Sequence, residues 1–168
     1  GSYIQWENDA NVVIAPSANQ TVQNKKFDRT SAFMAASSEN SDFTFKHLVS
    51  YIKFTISSKG SSFSSITVTS ADKSQNMVSP IKVNLDKNFT YSLLTDSNDY
   101  TKNYVSLKNS NDSDLPVGTY YIAINPGTYS KGFKVTFENA SGHTATKDYT
   151  GSYKPKPGEV VDLGEVGN

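Results

Sequence analysis

The sequence predicts an all-β fold, a β-sandwich of about seven or more strands, and three observations carry that expectation. Apolar and polar residues alternate with a period of two in several short runs, most cleanly where Ile81, Val83 and Leu85 are separated by Lys82 and Asn84. Clusters of turn-forming Gly, Asn, Asp and Ser recur at roughly 8–12 residues. Ser, Thr, Asn, Tyr and Phe are plentiful, whereas runs of helix-forming Leu, Glu and Ala are few. No amphipathic helix, internal repeat or second-domain boundary stands out. Residues 1–168 therefore read as a single domain, with 1–42 an N-terminal extension that carries the first strands.

Taken in order, Tyr3–Trp6 and Val12–Ala15 are short apolar pieces of strand type, the second closed by Pro16. Residues 17–30 are polar and read as a loop with a brief edge strand. Ala32–Ala36 fits either a strand or a single helical turn, and 37–42 leads into FTFKHLVSYIKFTIS, Phe43–Ser57. In that stretch Phe43, Phe45, Val49 and Tyr51 share one parity, and Leu48, Ile52, Phe54 and Ile56 share the other. Successive strand side chains face opposite ways, so the change of parity calls for a bulge, a kink or burial on both sides. The expectation is a half-buried strand at Phe43 and Phe45, then a deeply buried central strand from Leu48 to Ile56.

Beyond Ser57 strands and turns alternate regularly. Residues 57–62 turn, Ile66 and Val68 alternate with threonines, and 71–76 turn again. Ile81–Leu93 reads as a hairpin about a tight turn at 86–88, with Phe89, Tyr91 and Leu93 on one face. A polar loop at 95–103 precedes a short strand, Tyr104–Leu107, and 109–114 is the longest polar turn. Tyr120, Ile122 and Ile124 form a strand ended by Asn125, Pro126 and Gly127. Phe133, Val135 and Phe137 form another, which 139–143 turns back into Thr144–Tyr149. Pro155 and Pro157 straighten a loop before a last strand, Val160–Val166.

Composition excludes several functions. A chain of 168 residues buries about 70% of its unfolded surface, enough for a core without staples. Sixteen basic and sixteen acidic residues cancel, so nothing suggests a nucleic-acid partner. There is no cysteine, which removes disulfides, thiol chemistry and Cys-type zinc sites and suits an exported protein. No run approaches the roughly 20 apolar residues of a membrane span. No signal peptide is present and Gly1-Ser2 resembles a cloning scar, so the natural start is expected to have been removed.

Little points to catalysis. The two histidines, His47 and His143, lie far apart in sequence, and a Ser-His-Asp triad would need one of them. A packed His47 and a solvated His143 are expected. No nucleophile-elbow, P-loop or HExxH spacing occurs. Asp96 with Asp99, and Asp112 with Asp114, offer oxygen ligands to calcium, but they lack the EF-hand pattern and read as turn residues. A glycosidase carboxylate pair depends on spacing in three dimensions, and nothing in the sequence favours one. No catalytic residue, cofactor or metal is assigned, and the chain is expected not to be an enzyme. Trp6, Tyr100, Tyr129 and Tyr153 lie in loops or near the start and are candidate surface contacts for sugars or proteins, with local packing as their other role.

FTFKHLVSYIKFTIS resembles the "F-K-H-hydrophobic … K-F-T-I" strand of the fimbrillin family, the type V pilin subunits of Bacteroides-type bacteria. AFMAASSE (32–39) is similar to the M-A-A stretch just upstream in that family, and Trp6 and Ala15-Pro16 resemble positions further back. LPVGTYYIAINPGTYSKGFKVTFENASGHTATKDY (115–149) is similar to its "G-x-Y-Y-I-A … P-G-x-Y … G-F-x-V-T-F" hairpin, and GEVVDLGEV (158–166) to its closing "G-x-V-x-x-L-G-x-V" strand. The resemblance implies a transthyretin-like Greek-key sandwich, exported through the periplasm as a lipoprotein precursor. It implies a non-catalytic fimbrial or adhesion subunit at the cell surface or outer membrane. Its partners would be other fimbrial subunits, through donor-strand exchange, and host glycans or proteins; membrane contact would come through a lipid anchor outside this chain. A carbohydrate-binding surface module is the alternative. The chain lacks the family's first strands and lipobox cysteine and stops where a second domain often begins, so it is expected to be one domain of a longer subunit or a short member. Arg29, the sole arginine, is a candidate site for trypsin-like processing in the loop KKFDRTS; a lone arginine that solubilises a loop is the other reading.

Overall fold

A computed structural model describes every residue except 9, 23–26, 37, 39–41, 60–61, 86–89, 95–97 and 167–168. The expected turn at 86–88, Phe89, Asp96, most of the 37–42 connection and part of the 57–62 turn lie outside the described residues. The strands are β1 (Tyr3–Trp6), β2 (Asn11–Ala15), β3 (Asn19–Val22), β4 (Met34–Ala35), β5 (Lys46–His47), β6 (Ser50–Ile56), β7 (Ser65–Ser70) and β8 (Ile81–Asn84). They continue with β9 (Tyr91–Leu93), β10 (Tyr104–Asn109), β11 (Gly118–Ile124), β12 (Phe133–Glu138), β13 (Thr144–Tyr149) and β14 (Val160–Val166). Among the described residues there is no helix, and the fold is all-β.

A five-stranded sheet runs β13-β12-β7-β10-β3, a four-stranded sheet β1-β2-β8-β9 and a three-stranded sheet β11-β6-β14; β4 and β5 make a small hairpin. The three-stranded sheet serves two cores. One face of β6, Ile52, Phe54 and Ile56, packs with Tyr120, Ile122 and Ile124 of β11 against Ile66, Val68, Leu107, Val135 and Phe137 of the five-stranded sheet. On the other face Tyr51 and Ala123 join Val12, Ile14, Ile81 and Val83 of the four-stranded sheet. Alternation explains this directly, since β6 is covered on both sides at its start and every residue from Ser50 to Ile52 is buried.

The central strand therefore begins at Ser50, and the change of parity falls at a bend through Leu48 and Val49, both buried. The half-buried strand expected at Phe43 and Phe45 is not there. Residues 42–45 lie outside any strand, and the two rings are 61% and 64% exposed. Apolar alternation marks which side chains share a face, but another layer must cover that face, and cover begins only at Leu48.

The other expected strands appear close to their predicted bounds. Ala32–Ala36 resolves as the two-residue strand β4, paired with β5 at Met34↔His47 and Ala35↔Lys46. The loop 17–30 holds β3, an edge strand that runs parallel to β10. The 81–93 hairpin pairs Ile81 with Leu93 and Val83 with Tyr91.

Candidate functional site: an apolar groove beside an open strand edge

Away from the four-stranded sheet, no sheet among the described residues covers the outer face of β11-β6-β14. A groove of about 480 Å³ crosses all three strands there, floored by Tyr121, Tyr51 and Val160 and walled by Phe27, Ala32 and Met34. Arg29, His47 and Gly158 complete its lining. A second cleft of about 360 Å³, lined by Phe45, Leu48, Val83 and Tyr91, meets the groove at His47 and Gly158. Phe27, Met34 and Val160 are 39%, 47% and 46% exposed. Large apolar side chains converging on one concavity differ from scattered surface residues and mark a contact surface.

Backbone direction explains why this face has an open edge. The Tyr51 amide donates to the Glu159 carbonyl on the β14 side. Tyr51, Lys53 and Thr55 thus turn their amides towards β14, and Ile52, Phe54 and Ile56 turn theirs towards β11. Opposite Tyr51, Lys53 and Thr55 on β11 stand Ala123, Tyr121 and Thr119, which point their backbone groups away from β6. At Ala123 the buried Gln20 side chain takes both groups: Oε1 accepts from the amide at 2.9 Å and Nε2 donates to the carbonyl at 2.7 Å. Among the described residues, no strand pairs with the outer edge at Thr119 and Tyr121.

The β14 edge is blunted instead. Its pairing with β6 slips between Asp162 and Glu165, and Gly164 takes φ 73° with its amide donating to Asp162 Oδ1. A bulge with two carboxylates is a usual guard on an exposed edge. Lys53 bonds Asp162 at 2.6 Å. That hydrogen bond, with the attraction between the charges, holds the Lys53 ammonium above its ordinary value, and the same bond holds Asp162 below its own.

His47 is exposed rather than packed as expected, because its two-residue strand lies at the surface. Its ring stands edge-on to Tyr51, and its Nδ1 is 2.9 Å from the Tyr51 hydroxyl. Burial pushes the Tyr51 hydroxyl up to about 12, so near neutral pH the hydroxyl keeps its proton and shares a hydrogen bond with the imidazole. His143 is exposed in the β12–β13 turn, away from this groove.

Arg29 is exposed, as a cleavage site requires, but its turn is tied down. The buried Asp28 carboxylate accepts from the Thr21 amide at 3.0 Å and, through its other oxygen, from the Thr30 amide at 2.8 Å and the Thr30 hydroxyl at 2.6 Å. The fully buried Ser31 accepts from the Ser17 amide at 3.0 Å. Asp28→Ala removes three bonds, each of order 1 kcal/mol or more. Cleavage at Arg29 by an arginine-specific protease, followed by mass spectrometry, is expected to rise about tenfold or more in this variant; an unchanged rate would show that Asp28 does not hold the turn.

Of the four aromatic contact candidates, two are corrected. Tyr129 is wholly buried, with its hydroxyl donating to the Asn125 carbonyl at 2.7 Å, and burial pushes its ionisation far up. Tyr153 is half-buried, pairs with Tyr129 across a β-bridge and packs its ring 5.1 Å from Phe133. The proline-rich loop folds over this end of the core, which covers both rings. Tyr100 is exposed but leans on Tyr3, centroids 4.9 Å apart. Trp6 is exposed on strand β1, the Tyr3–Trp6 strand that was expected. Asp112 pairs with Lys108 at 2.6 Å, and among the described residues no three His, Asp or Glu converge. Periodicity gave no sign of the groove itself, of Gln20 as an edge cap, or of Asp28 as an anchor. The short-range pattern D-x-T was the one available signal, since an Asp that accepts from the amide two residues on makes an Asx turn.

Compared with known proteins, the chain matches no family model and no curated sequence.

Proposed function

We propose that this chain is a non-catalytic subunit of a surface fibre or adhesion assembly, with a transthyretin-like Greek-key sandwich, that receives an extended strand from a neighbouring subunit at the β11 edge. The observation that supports this is the backbone at Thr119 and Tyr121, which no strand among the described residues pairs with, bordering an apolar groove. Such an edge offers unpaired N–H and C=O groups, and the groove takes side chains at alternate positions, which are the two requirements of strand addition. The family resemblance points the same way and adds display at the outer membrane of an exported lipoprotein.

A sugar-binding module is less well supported. Tyr129 and Tyr153 are withdrawn into the core, and on β1 the Trp6 side chain faces opposite to Tyr3, the partner of Tyr100. Trp6 and Tyr100 therefore share no single platform.

The test uses the native gene product, treated with a trypsin-like protease and run unboiled on a denaturing gel. Wild type is expected to give a ladder of SDS-resistant multimers. Tyr121→Pro removes an outward amide without touching the β6 ladder, and is expected to abolish the ladder while keeping a cooperative melt. A ladder that survives in this variant, or a wild type that stays monomeric, overturns the proposal.

A further inference from the structure

We infer that the groove is selective for a carboxylate-bearing partner, an extended peptide with an Asp or Glu beside a large apolar residue, and that Arg29 reads the carboxylate. This inference rests on the strand-acceptor reading above and specifies what the acceptor prefers.

The charges of the groove lead to it. The Arg29 guanidinium on its lining is a permanent donor, and His47 and Tyr51 beside it are engaged with each other. Among the described residues, no carboxylate lines it. No described carboxylate lies within 4.0 Å of the Arg29 guanidinium, the one cationic group among the described lining residues that is charged at every ordinary pH. Its sequence neighbour Asp28 cannot compensate it directly, because both oxygens turn inwards to the Thr21 and Thr30 donors. The same bonds fix the turn, so the guanidinium is presented from a held backbone rather than from a wandering loop. A guanidinium offers five N–H donors in a planar fork that matches a carboxylate, and beside apolar walls that pairing is stronger than in open water.

The rest of the lining identifies the kind of molecule that carries the carboxylate. Phe27, Ala32, Met34 and Val160 present carbon there, beside Tyr51 and Tyr121. A glycan would find few polar partners there. A peptide supplies apolar side chains for the walls and backbone groups for the edge at Tyr121, with its acidic residue meeting Arg29.

Binding to fluorescein-labelled octapeptides of alternating valine, differing only in a central Glu, Gln or Lys, tests the inference by polarisation. Wild type is expected to hold the Glu peptide about tenfold more tightly than the Gln peptide. Arg29→Ala should erase that preference while keeping the weaker apolar binding, Arg29→Lys should keep part of it, and Arg29→Glu should reverse it in favour of the Lys peptide. Equal binding of the Glu and Gln peptides by wild type, lost in Tyr121→Pro, overturns the role of Arg29 and leaves the strand-acceptor reading standing. Failure of wild type to bind any of the peptides overturns both.

Discussion

Phe54→Ala is expected to lower the unfolding free energy by about 3–5 kcal/mol. Phe54 is 1% exposed at the middle of β6, and its ring stacks on Tyr120 with centroids 5.5 Å apart and planes 17° from parallel. Removing the ring deletes its transfer free energy and leaves a hole among Ile52, Ile56 and Ile122, which the five-stranded sheet cannot close without breaking its own pairings. In a chain of this length such a loss lowers the melting temperature by about 6–20 °C. Urea unfolding is the direct check: the midpoint should fall sharply with little change in slope. A midpoint that hardly moves would place Phe54 away from the core.

Gly132→Ala should cost about 3 kcal/mol or more, for a different reason. Gly132 has φ 78°, and a Cβ there would lie 2.0 Å from the Tyr149 carbonyl oxygen and 3.2 Å from that of Gly151. Both are backbone atoms, so relief requires moving the end of β13 against β12. Gly142 provides the control. It has the same φ of 78°, yet a Cβ there meets nothing within 4 Å. Gly142→Ala therefore bears only the left-handed penalty of about 1–2 kcal/mol. Equal midpoints for the two variants in thermal melts would show that the contact at Gly132 is not what requires glycine.

Where the sequence was legible, local periodicity made it so. Ile66 and Val68, Ile81 and Val83, and Phe133, Val135 and Phe137 all face a core, as their alternation requires. Periodicity assigns faces but does not name the strand alongside. The parallel union of β3 with β10 and of β6 with β14 was invisible because each joins distant segments. Tyr129 followed an Asn-Pro-Gly turn and so read as surface. It is buried because the hydroxyl finds its acceptor four residues back, at Asn125, and needs no water. Phe43 and Phe45 failed in the opposite direction, as apolar alternation without cover. The groove was out of reach for a related reason. Its lining comes from four separate stretches of chain, each unremarkable by itself.

The placement of β14 beside β6 bears on when this protein can fold. Lys53 and Asp162, which clasp the two strands together, are 109 residues apart. Val161, Leu163 and Val166 supply one side of the main core, so a nascent chain still lacking them has its central strand bare on one edge. Topologies closed by such distant pairs fold slowly, since the loop must be ordered before the contact rewards it. During synthesis at roughly 5–20 residues per second, the growing polypeptide stays open until residue 166 has left the ribosome. The main core therefore closes late, after most of the strands that β14 completes have already been made.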